Sequence, residues 1–311
     1  MTGEMSNGKN ESCSKIKLKK LCMALLVVSF TLTIFFLSNV SQTEELLDPP
    51  QAHIPITKET YIFVITPTYA RPVQKAELTR LSHTLRLVPH VHWIIVEDAK
   101  EPTALVTNLL KNTGLPYTQL VQPTPASWKL KNNEGRWTKP RGVLQRNIAL
   151  KWIRENLKHH TKGVIYFADD DNTYSLELFE QMRKTKKVSI WPVGLVGGLL
   201  VERPIVENGK VVGFNSAWRP ERRFPIDMAG FAVSLKHFLS KPEAKFSIKS
   251  EGGFQETDFL SLLTTREELE PMADNCTKVL VWHTRSEKPT LVYEDERRRK
   301  GLEPSNASME V

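Results

Sequence analysis

The 311-residue chain predicts an α/β domain behind an amino-terminal membrane anchor, and three observations carry that expectation. Short β-rich runs alternate with segments of helical spacing through residues 61–168, the pattern of a mostly parallel sheet joined by crossover helices. One apolar run, Val164-Ile-Tyr-Phe-Ala168, empties directly into three consecutive carboxylates, Asp169, Asp170 and Asp171. Residues 21–40 hold no charged side chain, which is the length a bilayer core requires.

Taken in order, Tyr61-Ile-Phe-Val-Ile-Thr66 is the first strand-like run. Residues 75–88 place Ala76, Leu78, Leu81, Leu85 and Val88 at helical spacing, and His92-Trp-Ile-Ile-Val-Glu97 is the next strand. Helices are expected over 103–111 and 142–157, a strand over 164–168, and a helix over 175–184. Ligands in such sheets bind beyond the carboxyl ends of the strands, so 67–71, Glu97-Asp98 and the acidic triplet should line one nucleotide site. The pattern then loosens into short strands at 188–193 and 210–214, a segment at 228–239, a helix over 256–263 and a late strand at 278–283. This second part reads as the lobe for a second substrate.

Three adjacent like charges repel one another unless a cation neutralises them. A solvated acidic turn is the plainer alternative, but a buried-looking strand runs into this triplet and a helix-like segment leaves it. Hard cations such as Mg²⁺ or Mn²⁺ take oxygen ligands from one or two carboxylates plus substrate phosphates, so a diphosphate-bearing substrate is expected.

Lys15, Lys17, Lys19 and Lys20 precede the uncharged run, which predicts a cytosolic amino terminus and a single-pass type II topology. The run flows into Ser38-Asn-Val-Ser-Gln without an A-x-A site, favouring an uncleaved anchor. The expected organisation is a cytosolic tail (1–20), a span (21–40), a luminal stem (41–59) and a luminal domain (60–311), the last divided near residue 174. Asn275-Cys-Thr277 and Asn306-Ala-Ser308 are N-glycosylation sequons on the luminal side. Charges in the tail and stem cancel, so the formal +8 belongs to the domain and suits an anionic partner. Nucleic acid is excluded by the compartment and by the lack of interleaved basic and aromatic residues. Arg297-Arg-Arg-Lys300 reads as a solvated face, and Cys276 is the one luminal thiol, which rules out an intrachain luminal disulfide.

Five stretches carry a family resemblance: Thr66-Pro-Thr-Tyr-Ala-Arg71, Trp93-Ile-Ile-Val-Glu-Asp98, Tyr166-Phe-Ala-Asp-Asp-Asp-Asn-Thr-Tyr174, Ile226-Asp-Met-Ala-Gly-Phe231 and Val281-Trp-His-Thr-Arg285. In order and residue type the chain resembles the animal β-1,3-glucuronyltransferases from residue 60 to about 290. The resemblance implies a GT-A-like nucleotide-diphospho-sugar transferase fold in a Golgi membrane enzyme. Such an enzyme moves glucuronic acid from UDP-glucuronate to the 3-hydroxyl of a terminal galactose, using Mn²⁺ and inverting the anomeric carbon. Lys139-Pro-Arg-Gly-Val-Leu-Gln-Arg146, Val193-Gly-Leu-Val-Gly-Gly198 and Gly213-Phe-Asn-Ser-Ala-Trp218 are most similar to the branch acting on the Gal-Gal-Xyl-Ser linker of proteoglycans. The branch acting on Galβ1-4GlcNAc is the close rival.

The resemblance also implies roles. Glu256 matches the catalytic carboxylate that takes the acceptor proton, although an acid at a helix start also suits the helix dipole. Asp171 matches the metal ligand, Asp170 the carboxylate that reaches the ribose, and Asp169 a group facing the donor sugar. Tyr69 and Asp98 match the uracil pocket, Arg141 and Arg146 contact the base and the donor sugar, and His283 and Arg285 match residues on the diphosphate. Glu202, Trp218 and Asp227 are expected to line the acceptor site, with a core role as the alternative for Trp218. A homodimer is left open: the stem holds no cysteine to link one, Cys276 allows an intermolecular bridge, and residues 290–311 depart from the family pattern.

Two other classes compete. Asp169 to Thr173 also fits D-x-D-x-T, the signature of aspartate-nucleophile phosphatases, but that signature normally opens its domain on the first strand. A non-catalytic glycan-binding relative would be expected to have lost Asp171 or Glu256, and both are present.

Overall fold

A computed structural model describes residues 59–129, 141–158, 161–287 and 289–310. The tail, span and stem lie outside the described residues, among which no helix is long and apolar enough to cross a membrane.

The first half runs β1 (Tyr61–Thr68), α1 (Gln74–Leu85), β2 (Val91–Glu97), α2 (Ala104–Thr113), β3 (Tyr117–Val121), α3 (Val143–Asn156), β4 (Gly163–Phe167), β5 (Thr173–Tyr174) and α4 (Leu176–Met182). The second runs β6 (Val188–Ile190), β7 (Val193–Gly194), β8 (Val201–Glu207), β9 (Lys210–Asn215), β10 (Phe231–Ser234), α5 (Leu235–Leu239), α6 (Gln255–Ser261), β11 (Glu270–Pro271), β12 (Val281–Trp282) and α7 (Val292–Arg299).

The larger sheet has the order β11-β6-β10-β4-β1-β2-β3 and the smaller β5-β12-β7-β8-β9. In the larger, β4, β1, β2 and β3 are parallel, while β10 lies antiparallel to β4 and β6. Their apolar runs lack period because both faces are covered. Ile62, Val64, Trp93 and Tyr166 pack with Leu78, Leu81, Leu110 and Phe179 of α1, α2 and α4. Phe63, Ile65 and Phe167 face the other way, against Leu150, Ile153, Phe238 and Phe259 of α3, α5 and α6. Each such side chain contributes about 1.5–3 kcal/mol on burial. Phe246 stacks on Phe259 at 4.3 Å between ring centres, with Phe167 edge-on to both, so α6 is fastened to the sheet one turn after Glu256.

Register brings the carboxyl ends together. Thr68 of β1 sits opposite Glu97 of β2, and Ile65 opposite Phe167 of β4. The Asp98 amide donates to the Thr68 carbonyl at 2.8 Å, and the Ala168 amide to Ile65 at 2.9 Å, so the segments beyond all three strands open onto one edge.

Several elements differ from the sequence expectation. The strand expected at 188–193 divides into β6 and β7 in different sheets, with Trp191 and Pro192 between them. Segment 228–239 resolves into a turn at Met228–Gly230, β10 and α5. The late strand shrinks to Val281–Trp282, while β3 and β8 were not anticipated. Arg298, Arg299 and Lys300 are exposed, as a solvated face requires.

His92 on β2 is buried, with Nε2 2.8 Å from Thr118 Oγ1 and its ring stacked on Trp152 at 5.5 Å. Burial pushes its pKa down to about 4. The unfolded chain therefore binds a proton that the fold refuses, and stability falls as pH drops from about 6.5 to about 4. The expected loss is roughly 3 kcal/mol at about 1.4 kcal/mol per unit. Denaturant titrations of wild type and His92→Phe across that window should show this slope only in the wild type; equal slopes would remove the assignment.

Candidate active site

Beyond β1, Tyr69 is 52% exposed and the Arg71 guanidinium lies over its ring, 4.7 Å from the centre. Asp98, beyond β2, accepts from the Thr124 amide at 2.6 Å, which ties the segment after β3 to the same edge. Glu97 points inward, where Thr103 Oγ1 donates at 2.5 Å and Gln119 Nε2 at 2.7 Å.

The three aspartates beyond β4 diverge. Asp169 Oδ1 takes a 2.6 Å bond from Arg146 Nη2. Asp170 is buried, with Oδ1 2.7 Å from Arg71 Nη2 and Oδ2 accepting from Thr68 Oγ1 at 2.7 Å. Burial outweighs these partners and pushes Asp170 up to about 6. The Asp171 carbonyl accepts from Thr284 Oγ1 at 2.6 Å and Arg80 Nη2 at 3.1 Å, whereas its carboxylate meets no hydrogen-bond donor among the described residues. Burial, then the charges of Asp169 and Glu77, raise Asp171 above the ordinary carboxylate range.

That carboxylate fits a hard cation: no described side chain donates to it, and a ligand-borne diphosphate can complete the shell. Among the described residues no three His, Cys, Asp or Glu side chains form a self-sufficient cage of the zinc-site kind.

Arg146 is buried on α3 and reaches Asp169 because the chain turns at Gly142, φ 70°, immediately before the helix. A Cβ at Gly142 would fall 2.5 Å from Arg146 Nη1, which instead donates to the Arg141 carbonyl at 3.1 Å. The Arg141 side chain is exposed.

The remaining predicted residues come from the second half. Asp227 caps the turn at Met228–Gly230 by accepting from the Ala229 amide at 3.0 Å. Its Oδ2 lies 3.3 Å from His283 Nδ1, within ion-pair range but off the line of a hydrogen bond. Burial alone would raise the Asp227 carboxyl, yet His283 and then Ala229 hold it below the usual range. In return Asp227 raises His283, against burial. Arg285 Nη2 is 3.1 Å from the other imidazole nitrogen, and the His283 amide donates to Gly194 at 2.9 Å, so β7 fixes the strand end that presents both residues.

Glu256, in the first turn of α6, is partly buried. Burial and the Asp227 carboxylate push it up to about 7, against the pull of Arg146 and Arg222. Glu202 of β8 is buried, accepts from Ser216 Oγ at 2.5 Å, and is raised by burial. Trp218 is 39% exposed, so its indole is a surface rather than a core element. Phe254 packs against it edge-on at 6.0 Å, and Gly253, φ 79°, leaves room where a Cβ would strike the indole.

Sequence reasoning gave no role of their own to two arginines: Arg71, half-buried in the 67–71 segment expected at the nucleotide site, and Arg222, which is buried. Arg71 joins the strand ends, and Arg222 lies 4.6 Å from the Trp218 ring centre and donates to the Gly253 carbonyl at 2.8 Å. Arg222 sits in Arg219-Pro-Glu-Arg-Arg223, which resembles a solvated basic run; only burial distinguishes it. Asn275 and Asn306 are both exposed. Cys276 is buried and free, and burial pushes its thiol up to about 12, which leaves it inert at neutral pH.

The site thus gathers, beyond the strand ends, an exposed aromatic residue, a carboxylate with no hydrogen-bond donor among the described residues, the His283–Arg285 pair and a carboxyl pushed up to about 7. The profile of glycosyltransferase family 43 matches residues 81–287. Galactosylgalactosylxylosylprotein 3-beta-glucuronosyltransferase I of Drosophila melanogaster is 54% identical over 256 residues, covering 80% of this chain and 83% of that protein. The Homo sapiens enzyme numbered 3 is 55% identical over 250 residues (77% and 75%), and that numbered 2 is 58% identical over 236 residues (75% and 71%). The chain belongs to glycosyltransferase family 43.

Proposed function

We propose that this chain transfers glucuronic acid from UDP-glucuronate to the 3-hydroxyl of the terminal galactose of Gal-Gal-Xyl-Ser on proteoglycan core proteins, inverting the anomeric carbon. The observation that carries the reading is Glu256: a partly buried carboxyl in the first turn of α6, pushed up to about 7 by burial and the charge of Asp227 and within the influence of Arg146. A base of that strength is half ionised near neutral pH and still holds the proton it takes. The 55–58% identity to relatives bearing that activity in their names supports the substrate pair.

Glu256 takes the proton of the galactose 3-hydroxyl as its oxygen bonds to the anomeric carbon. The bond from that carbon to the diphosphate oxygen breaks on the opposite face, and UDP departs with the electron pair. His283 and Arg285 neutralise the charge developing on the leaving group. Tyr69 and Asp98 hold the uracil, Asp170 the ribose, and Asp169 with Arg146 the glucuronate; the Trp218 face, Glu202 and Asp227 hold the galactose. Asp171 would hold Mn²⁺, which supplies charge neutralisation at the diphosphate. The same reading gives a GT-A-type enzyme on a type II Golgi anchor, with residues 60–311 in the lumen. Family membership leaves no room for the phosphohydrolase alternative.

The test offers radiolabelled UDP-glucuronate, Mn²⁺ and, in parallel, Gal-Gal-Xyl and Galβ1-4GlcNAc to the full-length chain in detergent. Transfer mainly to Gal-Gal-Xyl is expected. Preference for Galβ1-4GlcNAc would move the chain to the rival acceptor, and transfer to neither would end the transferase reading.

A further inference from the structure

Among the groups that no role above absorbs, a buried ion network ties the first helix to the donor edge. The Arg71 side chain is 13% exposed and that of Glu77, on the first turn of α1, 3% exposed, and the two are ion-paired. A carboxylate so far from water is costly unless paired, so Glu77 fixes where the Arg71 guanidinium sits. From there Arg71 makes the 2.7 Å bond to Asp170 Oδ1, donates to the Tyr69 carbonyl at 3.2 Å and lies over the Tyr69 ring. Gln74 Nε2 donates to Thr68 Oγ1 at 3.2 Å, and Thr68 holds the other Asp170 oxygen.

We infer that Arg71, anchored by Glu77, is the positioning residue of the nucleoside subsite: one guanidinium orients both the aromatic ring that stacks on a planar base and the carboxylate that receives a ribose hydroxyl. The inference rests on the UDP-sugar reading given above. The chemistry requires arginine. A planar fork of five donors can serve two carboxylates and lie against an aromatic face at once, whereas an ammonium group cannot. By covering one face of the ring of the exposed Tyr69, the guanidinium limits the ring's orientations and leaves the other face for the base. The two protein donors on Asp170 use about half of the roughly four acceptor sites of a carboxylate, so a ribose hydroxyl can still bond to it in the orientation Arg71 sets.

The experiment measures UDP affinity by calorimetry, with Mn²⁺ present, on the full-length chain and its variants, each checked for folding by circular dichroism and melting temperature. Arg71→Met should weaken UDP by about tenfold or more, the scale of a lost hydrogen bond to a charged group. Arg71→Lys should recover little of this. Glu77→Gln should weaken UDP by about threefold to tenfold although Glu77 is placed on no ligand, and donor KM should rise in step while kcat stays within about twofold. Arg71→Met combined with Glu77→Gln removes the stranded buried carboxylate and serves as the folded form if the single variant fails. Folded variants that bind UDP as the wild type does, whatever their melting temperatures, would overturn the inference. A wild type that does not bind UDP would instead remove the donor reading beneath it.

Discussion

Glu256→Gln is expected to lower kcat by roughly 10²–10⁴-fold while UDP affinity stays within about twofold, since the change removes a proton acceptor without removing volume or a donor contact. The pH profile gives the same assignment independently. With its pKa raised to about 7, Glu256 is protonated and idle below that value. The sign is therefore fixed: wild-type kcat should rise about tenfold per unit up to about pH 7 and level off above it. In Glu256→Gln that limb should vanish along with the rate. Asp170, pushed up to about 6, titrates nearby, but it belongs to the donor edge and its limb should enter donor KM rather than kcat. A wild-type kcat that is flat from about pH 5.5 to pH 8 would remove Glu256 as the base.

How much of this architecture is legible in the chain depends on how each element is stabilised. The strands β1, β2 and β4 are buried on both faces, so Tyr61–Thr66, His92–Glu97 and Val164–Ala168 stand out as unbroken apolar runs. By contrast β3 is the edge strand of the larger sheet, and Tyr-Thr-Gln-Leu-Val leaves every residue half-buried, with no pattern to separate it from a loop. The smaller sheet is harder still. Its strands β5, β7 and β12 are two residues long and exist because distant segments pair there: Val281 with Tyr174, and Trp282 with Thr173 and Gly194. No local propensity encodes such partners.

The site divides along the same line. That the triplet ends a buried strand is visible in the sequence, and so is the acid at the start of α6. That three adjacent aspartates have three different fates is not. Asp169 meets an arginine from α3, Asp170 one from beyond β1, and the Asp171 carboxylate none among the described residues, because the backbone turns as it leaves β4. The family resemblance supplied roles for these residues; it included Arg71 in its first stretch without a role and did not reach Glu77, and the pairing of the two is a tertiary fact. It also separated Asp227 from His283, assigning one to the acceptor and the other to the diphosphate, whereas the fold sets them side by side.

That contact predicts a variant with effects on both halves of the reaction. Asp227→Asn keeps a side-chain oxygen for the Ala229 amide, so the turn and the fold should persist. What it removes is a charge that acts in two directions. It raises His283, favouring the cation proposed to face the leaving group, and it raises Glu256, strengthening the proposed base. Without it the imidazole loses charge and the carboxyl titrates lower. The expected kcat falls by roughly 10²–10³-fold, the scale of losing one preorganised charge-stabilising group, and the acid limb of kcat moves below about pH 7. A residue that only grips galactose would raise acceptor KM and leave that limb in place. His283→Ala provides the second axis. If Asp227 works through His283, the double variant should be less damaged than the product of the two single losses, because the second change removes an interaction already gone. Losses that multiply to within about twofold, with an unmoved acid limb, would return Asp227 to acceptor binding alone and leave Glu256 to owe its strength to burial.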